Sequence, residues 1–208
     1  MQSQTRIIFN HLNIYKMIKN EMDEKLSTTI KGIARGYPAI SGFSAFLYSI
    51  ITGKNEGYFL LGSLFAVEYL NMIFKNYIAK PLMGDKKWPI LGWGIRPKGA
   101  KNTGCFISED DVKNNALSKS YGMPSGHAQS STFFSTYIIL MILNSSNHTN
   151  PIKKWGSIGV MGLLGLFVPA SRVYLNCHTI QQVVLGSAIG IGLGVLTHSL
   201  KTKYLPMI

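Results

Sequence analysis

Residues 171–197 read SRVYLNCHTIQQVVLGSAIGIGLGVLT. From Val183 to Thr197 no side chain is charged, and Gly or Ala stands at positions 186, 188, 190, 192 and 194. Such a segment suits a helix that packs closely in lipid, where small residues let backbones approach. Just ahead of it stand Arg172 and His178, polar side chains at the border of an apolar run. Uncharged stretches separated by basic junctions read as a bundle of membrane helices rather than a soluble core.

Working outward, the chain offers five apolar runs: Pro38 to Thr52, Tyr58 to Ile78, Ser125 to Leu143, Trp155 to Val173 and Thr179 to Thr197. The expected fold is all-α, a polytopic transmembrane bundle of about five spans with the active site at one membrane face. Residues 1–36 form an amphipathic or loosely ordered segment, with Ile7, Ile8, Leu12, Ile14, Tyr15 and Ile18 on one patchy apolar face. Residues 37–208 form the membrane-embedded domain. Met1 to Arg35 carries charges throughout, so insertion is expected from internal helices. Residues 80–123 read as a long polar loop with an acidic patch at Glu109, Asp110 and Asp111. Counting crossings brings Lys75, that loop, His127, Arg172 and His178 to one face.

The formal net charge is +12, with 46% hydrophobic residues. Basic flanks that grip anionic lipid account for this charge. The cations are not interleaved with exposed aromatics, which argues against nucleic acid as a partner. The two cysteines, Cys105 and Cys177, exclude a disulfide scaffold and a cysteine-rich zinc site; unpaired thiols are expected, with a single disulfide between them as the alternative.

Three pieces carry chemistry. In Ser171-Arg172-x5-His178, a neutral imidazole can attack phosphorus, and Arg172 can fork over two phosphate oxygens. In Pro124-Ser125-Gly126-His127, Ser125 and Gly126 can offer backbone amides to an oxyanion, while His127 can protonate a leaving oxygen. Arg96-Pro97, with lysines upstream, supplies a bidentate phosphate ligand and an ammonium, Lys75 being the candidate at the end of the second run. Lys80, Lys86, Lys87, Lys98 and Lys101 compete for that place. The bland alternative is interfacial Arg and His side chains at ordinary helix starts. Glu68 lies within the second run and either pairs with a site cation or sits hydrated near the interface. His11, His148 and His198 read as plain surface histidines, and Asn144 and Asn147 begin sequons on the opposite face.

Together these residues resemble the type 2 phosphatidic acid phosphatase superfamily of histidine phosphatases. Its pattern is a Lys followed by Arg-Pro, then Pro-Ser-Gly-His, then Ser-Arg-x5-His-x3-Asp, and the resemblance covers residues 57–197. It implies His178 as nucleophile, His127 as general acid, and Lys75, Arg96, Arg172, Ser125 and Gly126 as the phosphate cradle, with no metal or other cofactor. Two departures stand out. The family's Lys position, seven residues before Arg96, holds Pro89, as though residues 82–95 were inserted. The final Asp is Gln182, which can orient His178 without adding charge. Tyr121-Gly-Met-Pro-Ser and the Gln at 182 resemble the dolichyl-diphosphate phosphatase branch, although that branch often has Ser where Gly126 stands. The resemblance therefore implies a polyprenyl diphosphate substrate at an endomembrane such as the endoplasmic reticulum, with the site facing the lumen. A broader lipid phosphate phosphatase, or a lipid-phosphate-binding protein without turnover, is the alternative. Counting loop cations alone would turn the site to the cytosol, but the site's own cations inflate that count.

Overall fold

The computed structural model describes residues 2–84, 86–97, 100, 105, 121–145 and 150–204. In the first helix, side chains are described at positions 21, 22, 25, 28 and 29 and from 31 onward. The chain divides into two compact units, Met1–Ile33 and Ala34–Ile208. The first is helical and carries an exposed Glu21–Lys25 ion pair one turn apart, at 3.1 Å. The second is the bundle.

Helix α1 spans Gln2–Thr52 and runs through Pro38 without stopping. The expected start of a separate element at Pro38 is therefore absent. Next come α2 (Glu56–Ile73), a π-helical turn (Phe74–Ala79) and α3 (Lys80–Met83). Helices α4 (Gly126–Asn144), α5 (Pro151–Tyr174) and α6 (Ile180–Tyr204) complete the bundle. Among the described residues, three stretches are long and apolar enough to cross a membrane: Glu56–Met83, Pro151–Tyr174 and Ile180–Tyr204.

Helix α4 is more polar because it lies inside. Gln129, Ser130, Ser131, Thr132 and Ser135 are all buried. The side chains of Gln129, Ser130, Ser131 and Thr132 find partners within the protein; Thr132 Oγ1, for example, donates to Ser187 O at 3.1 Å. The glycine stripe of α6 makes this packing possible. A Cβ at Gly186 would stand 2.5 Å from Ser125 O, and one at Gly190 would collide with Gln129 O. At Gly194 it would come within 3.0 Å of Phe133 O. Spaced four apart, these glycines form one face pressed onto α4. His198 continues the same row. It is buried, bonds Asn144 at 3.4 Å and sits edge-on to Tyr137. The expectation of a surface histidine is thus overturned, because the stripe turns position 198 inward. His11 and His148 lie outside the described side chains.

An apolar cluster of Ala45, Leu60, Leu64, Val67, Phe133 and Tyr137 ties α1 and α2 to α4. Lys201 of α6 pairs with Glu56 at the start of α2, at 2.8 Å. The expected insertion 82–95 contains a small hairpin, β1 (Lys87–Trp88) against β2 (Gly92–Trp93), with Lys87 opposite Trp93. Gly92 closes its turn at φ +70°, a conformation that favours glycine. An Ile95–Tyr121 bridge and the Tyr121 hydroxyl, bonded to Ala79 O at 2.9 Å, hold the hairpin's exit beside the π-helical turn.

Candidate active site

Helix α5 ends at Tyr174, and Asn176 takes the left-handed conformation at φ +53°. Asparagine tolerates this region and commonly ends a helix in it. The chain doubles back, and the amides of Cys177 and His178 both donate to Arg172 O, at 2.9 and 3.2 Å. His178 is therefore held over the end of α5, four residues before Gln182 on α6 and with its side chain buried.

The Gln182 amide determines the state of that imidazole. Its Nε2 donates to Trp93 O at 2.8 Å and Ile95 O at 2.7 Å. Both acceptors are carbonyls, so the amide nitrogen must face them and Oε1 must face His178. Oε1 accepts from Nδ1 of His178 at 3.0 Å. The imidazole thus carries its proton on Nδ1, and its Nε2 lone pair is left for chemistry. That lone pair meets Arg96 Nη1 at 3.0 Å, and the same Nη1 donates to Cys177 O at 3.1 Å. Gln182 hence links His178 to the hairpin strand that leads to Arg96.

His127 sits one residue into α4, whose N-cap is Ser125. Ser125 Oγ accepts from Ala128 N at 3.5 Å, and its own amide donates to Gln182 O at 3.0 Å. The expectation that the Ser125 amide offers itself to an anion is therefore corrected: that N–H is committed to α6, and the residue is fully buried. Gly126 begins the helix beside Asn71, where a Cβ would stand 3.1 Å from Asn71 Oδ1. His127 Nε2 donates to Arg35 O at 3.0 Å, which leaves Nδ1 as its other ring nitrogen. Arg172, buried to 1% exposure, donates from Nη1 to Ala34 O at 3.3 Å and from Nη2 to Cys177 Sγ at 2.8 Å.

Both carbonyls belong to α1, and Pro38 explains why that of Ala34 is available. Proline has no N–H to bond the carbonyl four residues earlier, and its ring crowds that turn. Ala34 stands four residues before Pro38. The helix interior thereby yields an acceptor to Arg172.

Lys75 lies in the π-helical turn, a distortion often found at functional sites. It is close enough to Arg96, Glu68, His127 and His178 to act electrostatically on each. Lys80, Lys86 and Lys87 are exposed, while Lys98 and Lys101 lie outside the described residues. Glu68 is exposed and accepts a hydrogen bond from Ser130 Oγ. Beneath the site, Asn71 Nδ2 donates to Gln129 Oε1 at 2.7 Å, and Gln129 Nε2 to Val67 O at 3.1 Å. This buried amide relay fixes α2 against α4.

Burial first, then the charges of Arg96 and Lys75, hold the His178 imidazole well below its usual range. The bond to Gln182 opposes that shift. Burial also lowers Arg96 to about 10, which leaves it charged at neutral pH. The result is a neutral imidazole beside Arg96 and Lys75, a combination that could serve an anionic phosphorus centre.

Cys105 and Cys177 form a disulfide with Cα atoms 5.5 Å apart, so the expectation of unpaired thiols is overturned. They are 72 residues apart in sequence, and the out-and-back path of α4 and α5 brings them together. Sequence reasoning also missed Arg35 and Pro38, assigning the first to the amino-terminal segment. A proline inside an amphipathic pattern with an arginine three residues earlier was the available signal. The acidic patch 109–111 and the Asn147 sequon lie outside the described residues.

Residues 56–205 match the family model described as the PAP2 superfamily. Human dolichyldiphosphatase 1 is 31% identical over 158 residues, 71% of this chain and 56% of that protein. The dolichyldiphosphatase of Saccharomyces cerevisiae is 38% identical over 84 residues, 40% of this chain and 35% of that protein. Lipid phosphate phosphatase delta of Arabidopsis thaliana is 30% identical over 81 residues, 39% of this chain and 19% of that protein. The chain thus spans 35% to 56% of the length of these two dolichyldiphosphatases. No solved structure matches it. With the matched region covering the helices that carry His127, Arg172, His178 and Gln182, the chain belongs to the PAP2 superfamily.

Proposed function

We propose that this protein is an integral membrane lipid phosphatase that hydrolyses a polyprenyl diphosphate of the dolichyl type through a phosphohistidine. The observation that carries this reading is the His178 imidazole, its Nδ1 proton committed to Gln182 and its Nε2 lone pair beside Arg96. Nε2 attacks the terminal phosphorus while Arg96, Arg172, Lys75 and the Gly126 amide hold its oxygens. The P–O bond to the leaving group breaks, and its electron pair goes to the bridging oxygen, which receives the proton that His127 Nδ1 takes up when the anionic substrate binds beside it. Water then hydrolyses the P–N bond and regenerates His178. Gln182 keeps the nucleophile in the correct tautomer throughout, which favours turnover over binding alone.

The disulfide supports a site face in an oxidising compartment, which fits the lumen of the endoplasmic reticulum or a related endomembrane. The similarity to a lipid phosphate phosphatase supports a broader range of lipid phosphates as the second reading. Purified protein in detergent, given dolichyl diphosphate with and without a chelator, tests the proposal. The expected result is phosphate release that chelator leaves unchanged, together with an acid-labile phosphohistidine that His178→Ala abolishes. Phosphate release that survives His178→Ala, or that chelator stops, overturns the mechanism.

A further inference from the structure

Arg35 belongs to none of the three motif pieces, yet the fold brings it to the site. Its carbonyl receives His127 Nε2 at 3.0 Å, and the preceding carbonyl receives Arg172. Its side-chain Nε is buried and has no hydrogen-bond partner among the described residues. Nε of Arg172 is in the same condition. The two guanidinium groups are close enough to repel each other. Buried donors left unpaired and like charges held together both cost stability. One anion bound by both arginines would relieve both costs.

Which part of a substrate supplies that anion follows from the geometry of the reaction. His178 attacks the terminal phosphorus on one side, and His127 serves the leaving oxygen on the other. Arg35, in contact with His127, is therefore on the leaving-group side. In a lipid monophosphate the leaving group is an alcohol with an apolar tail, which gives a guanidinium nothing to bind. In a lipid diphosphate it is a phosphate monoester with anionic oxygens. We propose that Arg35, together with Arg172, binds the phosphate that stays with the lipid and so selects diphosphates over monophosphates. No new bond change is involved. The P–O bond to the bridging oxygen breaks as already described, and the departing lipid monophosphate keeps the electron pair and rests on Arg35. This inference depends on the His178 and His127 roles proposed above.

The test compares Arg35→Ala and Arg35→Lys with the parent protein on a polyprenyl diphosphate and on the monophosphate of the same chain length. Arg35→Ala is expected to lower kcat/KM for the diphosphate by about tenfold or more, the worth of one charge-assisted contact. On the monophosphate it changes the rate by less than about threefold, and Arg35→Lys restores part of the diphosphate rate. An equal loss on both substrates, or no loss on either, overturns the proposal. A second measurement does not depend on turnover. Methylenebisphosphonate and inorganic phosphate are titrated into His178→Ala, with and without Arg35→Gln, and the helical content of each variant is verified by circular dichroism. Selective weakening of the bisphosphonate supports the subsite, and equal weakening of both probes overturns it. If the parent protein releases phosphate from neither lipid, the functional reading falls, while the bisphosphonate titration still decides the role of Arg35.

Discussion

Nη1 of Arg172 reaches the carbonyl of Ala34 at 3.3 Å, where Pro38 leaves that carbonyl without its helical donor. A buried arginine at the end of one helix is thus oriented by a backbone gap in another. Pro38→Ala restores a competing N–H within α1. The variant is expected to unfold at a higher temperature, since an interior proline costs a helix about 3 kcal/mol. Its kcat/KM should nonetheless fall, because Arg172 loses an acceptor. Thermal unfolding and steady-state rates are measured on the same preparation. A variant both more stable and fully active would mean that the Ala34 contact does not position Arg172.

Gln182→Glu tests the link between His178 and the hairpin. Glutamate can still accept from His178 Nδ1, but its second oxygen meets the carbonyls of Trp93 and Ile95, where Nε2 now donates at 2.8 and 2.7 Å. Leaving buried acceptors unpaired costs about 1–3 kcal/mol each. The expected result is a lower kcat together with a higher KM, because the strand leading to Arg96 loosens as well. If kcat alone falls, the bonds to the hairpin carry no part of the effect.

The depressed pKa of His178 has a definite sign in stability. An unfolded imidazole takes up a proton below about pH 6.5, and the folded site resists that proton. This contribution to stability is present above about pH 6.5 and is lost as pH falls toward the folded value. Unfolding midpoints at pH 7.5 and 5.5 should therefore differ more in the parent protein than in His178→Asn. Equal pH dependence in the two would show that His178 does not resist protonation.

Gly190→Ala tests the seam between α4 and α6. Its Cβ would collide with Gln129 O, so the helices must separate. Overpacking of this kind costs about 1–3 kcal/mol. Gly192→Ala is the control, because a Cβ at position 192 meets nothing within 4 Å. The thermal midpoint should drop for the first variant and hold for the second.

Apolar runs, the small-residue stripe and the positions of His127, Arg172 and His178 were legible because each follows from periodicity or from a short motif. Gln182 was legible as the orienting partner of His178, four residues away on one helix face. Its second task was not, because Trp93 and Ile95 are distant in sequence and a two-stranded hairpin has almost no periodic signature. The Ser125 amide was misread because a helix start normally leaves such amides unpaired, and only the tertiary structure brings Gln182 O to it. Arg35 stayed hidden because an arginine in a basic amphipathic stretch looks like any lipid-facing cation. The disulfide stayed hidden because sequence shows two cysteines but not the return path between them.

That return path gives the Cys105–Cys177 bond a topological meaning. Cys105 precedes α4 and Cys177 follows α5, so the bond closes a covalent ring around an outgoing and a returning helix. Neither sulfur can reach the other until α4 has run out and α5 has come back. The bond is therefore a chemical record of the completed α4–α5 turn, fixed at the residue beside His178. On a non-reducing gel, a chain halted before α5 has crossed would run as the open form, and one whose site is assembled would run as the ring.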